Sequence, residues 1–173
     1  MLFLRHFRTK IDKTKPVSEW ELDDDGKKAM GEFLEENDFS GVKRIITSPE
    51  NKALLTAKEI SERFGKEIKI EPLIAEVDRS NAGFIEGDYK SVVKQYFESD
   101  DFEYEWEPLD QVKDRIRVAI RNLEPESLVI SHGMFLSLML APCLGKDTIE
   151  FWQELEFGQL LDIPDESLDY WRK

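Results

Sequence analysis

Cysteine is all but absent from this sequence. Cys143 is the single one among 173 residues and neither of the two histidines stands near it at zinc-binding spacing, so neither an internal disulfide nor a structural metal is expected. That usage fits a reducing compartment. Glycine and proline are also few, at 9 and 7 residues, which excludes collagen-like and low-complexity chains. No apolar run reaches the ~20 residues of a bilayer-spanning helix. The longest, MFLSLMLAPCL from Met134 to Leu144, reads as a buried helix. Positive charge is short: 24 Lys and Arg stand against 37 Asp and Glu, a formal net charge of −13. Such a field repels nucleic acid and anionic membrane surfaces. The opening MLFLR has no basic n-region and no small-residue cleavage site. The expectation is a cytoplasmic protein with neither nucleic acid nor membrane as partner.

What is present is enough apolar residue for a core. The chain is 40% hydrophobic and 35% charged, and its length suits a single domain, 1–173. Short apolar runs at Leu2–Leu4, Val42–Ile46, Ile68–Ile70, Leu128–Ile130 and Leu160–Ile163 read as strands. Between them lie segments of helical period, clearest at Leu109–Leu123, where Leu109, Val112, Ile116, Ile120 and Leu123 form one apolar face. Lys27–Glu36 and Pro49–Phe64 are two more. This alternation predicts an α/β fold, a mainly parallel central sheet with helices on both faces. The stretch from about 77 to 108 breaks the rhythm and reads as an insertion. It is expected either to pack its aromatics on the domain as an irregular excursion or to form a lid beside the active site.

In a parallel sheet, ligands bind beyond the carboxyl ends of the strands. Both histidines fall there: Arg5-His6 follows the first strand and Ser131-His132-Gly133 follows the fourth. After the second come Thr47-Ser48-Pro49-Glu50-Asn51-Lys52, in which Ser48 is a candidate cap, Pro49 suits the first helical position, and Lys52 lands in the first turn. Amides at a helix N-terminus attract anions. If the three strands are neighbours, Arg5, His6, Lys52 and His132 converge into a cationic pocket suited to phosphate, with Thr9 and Ser48 as further lining candidates.

These motifs resemble the histidine phosphatase superfamily, in its phosphoglycerate mutase-like branch. LFLRHFRTK is similar to Leu-x-Arg-His-Gly-x-Thr at Leu4, Arg5, His6 and Thr9. ITSPENKALLTAKEI resembles Ser-Ser-Pro-x-x-Arg-Ala-x-x-Thr-Ala at Ser48, Pro49, Ala53, Thr56 and Ala57. LIAEVDRSNAGFIEG carries the matching Glu76, Glu86 and Gly87, and LVISHGMFLSLML the late Ser-His-Gly element. The resemblance covers nearly the whole chain in family order. It implies a three-layer α/β/α sandwich and a metal-independent phosphohistidine mechanism needing no cofactor. By it, His6 is the nucleophile, Arg5, Lys52 and His132 bind phosphoryl oxygens, and Glu76 is the proton donor with Glu86 in reserve. Three positions depart from the pattern, one of them Asp12, which stands where the mutase members often have asparagine. Lys52 replaces an arginine, exchanging a planar fork for a compact charge. Phe7 replaces a glycine, a ring that either lines and narrows the pocket or signals a different local backbone.

The function expected is hydrolysis of a phosphomonoester, either a small metabolite or a phosphoprotein. Mutase activity is disfavoured by the short chain and by the lack of a second cationic cluster for a substrate carboxylate. The alternative, favoured by Phe7 and Lys52, is a weakened or inactive member that binds a phosphorylated ligand without turnover.

Overall fold

The computed structural model describes residues 1–82, 84–99 and 102–173. In chain order the main elements are β1 (Leu2–Arg5), α1 (Asp24–Glu36), β2 (Arg44–Thr47), α2 (Asn51–Phe64), β3 (Glu67–Ile70), α3 (Tyr89–Glu98), α4 (Leu109–Asn122), β4 (Ser127–Ser131), α5 (Gly133–Cys143), α6 (Thr148–Glu154), β5 (Leu160–Asp162) and α7 (Asp169–Arg172). The five strands form one sheet in the order β3-β2-β4-β1-β5. All neighbours are parallel except β5, which runs antiparallel along the edge beside β1.

Alternation along the central strands divides the interior in two. Phe3, Val129 and Ile46 stand in register across β1, β4 and β2 and face a core built with Val112, Ile116 and Ile120 of α4 and the apolar residues of α5. Leu4, Ile45, Leu128 and Ile130 face the other way, onto Met30 and Leu34 of α1 and Ala53, Ala57 and Ile60 of α2. The result is the expected three layers. Helix α5 is buried along nearly its whole length, which is why its sequence shows no amphipathic stripe. No helix among the described residues is long and apolar enough to cross a membrane.

Four local readings are corrected. The second strand starts at Arg44 because Val42 donates its amide to the carbonyl of Phe39 and so closes a turn. Helix α2 starts at Asn51, with Glu50 as the residue before it, so Pro49 is not helical. Helix α1 begins earlier than Lys27, where Asp23 accepts the amide of Gly26 at 2.6 Å. The stretch from 77 to 108 is not wholly irregular, since it holds α3, started by Asp88 accepting the amide of Ser91.

Candidate active site

Parallel register brings the ends of β1, β4 and β2 side by side, and the chain continues the pairing one residue further. His6 donates its amide to Ser131, and Ser48 to Ile130. Arg5, His6, Ser48 and His132 are thus placed by backbone hydrogen bonds rather than by flexible loops. The sequence expectation that these strand ends meet is met in space.

Above them opens a cavity of about 400 Å³, lined at its inner end by Arg5, His6, Lys52, Glu76 and Arg79. The His6 ring is buried, and its Nδ1 lies 2.7 Å from the carbonyl oxygen of Phe7. A carbonyl can only accept, so Nδ1 carries the hydrogen and Nε2 keeps a lone pair. Burial, aided by His132, Lys52 and Arg5, holds the His6 pKa well below the usual histidine value. The ring is neutral at neutral pH.

Arg5 donates from Nη1 to the carbonyl of Leu155, while the Phe157 ring lies 3.9 Å from its Cζ. Its buried Nε has no partner. Desolvation lowers its pKa, opposed by Glu76 and Tyr89, yet it stays a cation. The close approach of chain and guanidinium requires Gly133, where a Cβ would stand 3.0 Å from Arg5 Cζ.

His132 is completely buried behind His6, with ring centroids 5.1 Å apart, and is not among the residues lining the cavity. Its Nε2 meets Ser48 Oγ at 2.7 Å, and its Nδ1 is buried without a partner. Burial first, then Lys52, Arg79, Arg5 and Arg115, lowers its pKa well below the usual value. Both histidines are therefore neutral, so His6 and His132 add no charge to the cationic pocket expected from the sequence. Among the described residues, the cations lining the cavity are Arg5, Lys52 and Arg79, with Glu76 beside them.

Lys52 lies in the first turn of α2 as expected, but its ammonium is engaged. It donates to the Val17 carbonyl at 2.8 Å and to the carboxylate of Glu50. The other Glu50 oxygen accepts the Glu76 amide at 2.7 Å and sits 3.4 Å from His132 Nε2. In the sequence Glu50 carries no signal beyond a charge at the start of a helix. It is instead an anion placed between Lys52 and His132.

Glu76 caps α5: Oε1 accepts the amides of Phe135 and Val77 at 2.9 and 3.0 Å, and Oε2 accepts that of Met134 at 3.2 Å. The amides expected to attract an anion at this helix end are therefore taken. Glu86 is exposed, pairs with Lys13 at 2.7 Å and does not line the cavity. Thr9 lines it, whereas Ser48 contributes through His132. Phe7 does not line or narrow it. Its ring packs in the other core, 5.4 Å from the Phe33 centroid, where Gly158 at φ +73° leaves room for it.

Sequence reasoning missed Arg79 and Tyr89. The Arg79 guanidinium donates to the Tyr89 hydroxyl and lies 5.4 Å from the Trp106 ring centroid. Burial raises the Tyr89 pKa, so the phenol keeps its proton. Both lie in the stretch without periodicity, where an arginine between acidic and polar residues gives no signal.

Many solved structures share this fold. Bacillus stearothermophilus YhfR superposes with a TM-score of 0.72 at 16% identity, covering 94% of this chain and 90% of that one. A mycobacterial glucosyl-3-phosphoglycerate phosphatase complexed with VO3 gives 0.72 at 17%, covering 92% and 90%. Entamoeba histolytica phosphoserine phosphatase bound to 3-phosphoglyceric acid gives 0.68 at 17%, covering 92% and 87%. No curated protein matches in a direct sequence comparison. The sequence profile of the histidine phosphatase superfamily (branch 1) matches residues 1–160, and by that match this chain belongs to the histidine phosphatase superfamily.

Proposed function

We propose that the chain is a phosphomonoester hydrolase that passes the phosphoryl group through His6, acting on a small phosphorylated molecule or a phosphoprotein. The observation that carries this reading is the His6 ring. It is neutral, fixed at Nδ1 by the Phe7 carbonyl, and presents Nε2 beside Arg5 at the floor of a cavity. Structural neighbours named as phosphatases of glucosyl-3-phosphoglycerate and of phosphoserine support a phosphorylated metabolite as substrate.

In the first step Nε2 forms a bond to phosphorus as the ester P–O bond breaks. Arg5, Lys52 and Arg79 stabilise the charge spread over the equatorial oxygens, the main task in phosphoryl transfer. The leaving alkoxide takes a proton from Glu76, the one of the two acids that lines the cavity. Its Oε2 has a single amide partner and so keeps a lone pair for that proton. In the second step water attacks phosphorus, the N–P bond breaks, and Glu76 takes the water's proton. General acid–base help of this kind contributes roughly 10²–10⁴-fold. The scheme uses side chains and water alone. The whole of 1–173 acts as one catalytic domain, with residues of 77–108 as a lid over His6. A cytoplasmic setting is supported by the single cysteine, Cys143, which can form no internal disulfide.

The engagement of Lys52 by Glu50 favours a second reading, in which the pocket holds a phosphorylated ligand without turnover. Assay of wild type and His6→Ala on an aryl phosphate, with excess chelator, separates the two. Turnover lost in His6→Ala and retained in chelator supports hydrolysis. Phosphate binding with no turnover supports the second reading.

A further inference from the structure

The cavity lining is of two kinds. Among the described residues, the charged lining groups are Arg5, Lys52, Glu76 and Arg79, gathered near the buried His6. The rest of the lining is mostly apolar and includes Ile11, Trp20, Phe84, Ile85, Trp152 and Phe157. Exposed apolar side chains are concentrated in this lining: Ile11 is 61% exposed, Phe157 44% and Phe84 38%, three of the seven large hydrophobics open to solvent among the described residues. Apolar surface gathered at one opening marks a binding site, whereas scattered single residues need no explanation.

These walls are also held in place. The Trp20 indole donates to the Asp12 carbonyl at 2.9 Å, which fixes the ring, and the Phe84 centroid lies 6.3 Å away. Lys13, 4.7 Å from the Phe84 ring centroid, pairs with Glu86 at 2.7 Å. A substrate carboxylate or ammonium set against Trp20 and Phe84 would lose water and meet apolar faces. The net charge of −13 further disfavours a substrate with several negative charges.

We propose that the substrate is a phosphate monoester of an apolar, ring-bearing alcohol, its phosphoryl group at His6 and its ring against the Trp20–Phe84 pair. The turnover part of this inference rests on the hydrolase reading; the binding part does not.

The test compares benzyl phosphate with ethyl phosphate, phosphoserine and 3-phosphoglycerate, all alkyl esters, so that an acidic phenol leaving group does not inflate the rate. Benzyl phosphate is expected to show kcat/KM about tenfold or more above each of the others, the order expected for burying part of a ring. Trp20→Ala and Phe84→Ala should each collapse the benzyl-to-ethyl ratio. In parallel, benzylphosphonate and methylphosphonate, which cannot be hydrolysed, are titrated against wild type by calorimetry, with about tenfold tighter binding expected for the benzyl compound. Turnover with phosphoserine or 3-phosphoglycerate preferred would overturn the substrate class and leave the hydrolase reading standing. Absence of turnover on every ester would sink the hydrolase reading, and the phosphonates would then decide the class: equal affinities overturn it, a benzyl preference upholds it.

Discussion

The end of β1 and the start of α2 each deliver one buried cation to the same cavity, and they deliver it in different states. Arg5 is held by a carbonyl and a ring and keeps a donor without a partner. Lys52 spends its ammonium on Glu50 and Val17. The first wall is ready for an anion; the second must exchange one anion for another. A count of cations therefore overstates the pocket. Preorganised donors contribute most when they need not be released first.

The largest effect should come from the ready wall. Arg5→Ala is expected to lower kcat/KM by about 10²–10³-fold, the usual order for removing one preorganised electrostatic contact. Steady-state kinetics on an aryl phosphate measure this. Arg5→Lys should recover little, because an ammonium cannot reproduce the planar stack on Phe157 or the same fork of donors. A loss as large from Lys52→Ala would erase the difference between the walls.

Glu50→Gln is the next test. Removing the carboxylate that engages Lys52 should tighten inorganic phosphate binding about tenfold, as relief of like charge in a buried site predicts. The gain should vanish in a Lys52→Ala background, since contacting residues give non-additive effects. Calorimetric titration of the single and double variants checks it. An unchanged affinity in Glu50→Gln would mean that Lys52 is not masked.

Phe7→Ala should act mostly on stability. The ring lies in the core beside Phe33, so truncation should cost about 3–5 kcal/mol in denaturant unfolding. Its effect on kcat/KM should be well below that of Arg5→Ala. A cavity widened by this variant, with faster turnover, would put Phe7 back in the pocket.

A further effect is the pH dependence of stability. His6 and His132 are both held below the usual value of 6.5 by burial and by neighbouring cations. Between that value and the lower folded one, the unfolded chain binds more protons than the folded chain. Stability should therefore fall as pH falls below 6.5, by up to about 1.4 kcal/mol per pH unit for each histidine. Urea unfolding across that window, with His6→Asn as reference, tests it. The variant should show the shallower slope.

Much of this was legible in the sequence. Strand ends carry their chemistry in consecutive letters, so Arg5-His6 and Ser131-His132-Gly133 could be placed before any fold was seen, and parallel register then aligned them. Glu50 was not legible, because its role depends on β2 lying beside β4 and on the carboxylate reaching the Glu76 amide 26 positions away. Nor was the neutrality of His132, which comes from complete burial. Arg79 and Tyr89 lay in the one region without hydrophobic period, where order arises from tertiary contacts among aromatics rather than from local pattern. Phe7 was misread because a motif marks its position but not the face of the sheet to which its ring turns.

Rapid-quench labelling tests the account most directly. Wild type is mixed with a phosphate-labelled aryl monoester, denatured in alkali within the first turnover, and digested to locate the label. The account predicts label on His6, absent from His6→Ala and lost on brief acid treatment, as expected of a phosphoramidate. Label on a serine, an aspartate or His132, or turnover with no labelled protein at any time, would contradict it.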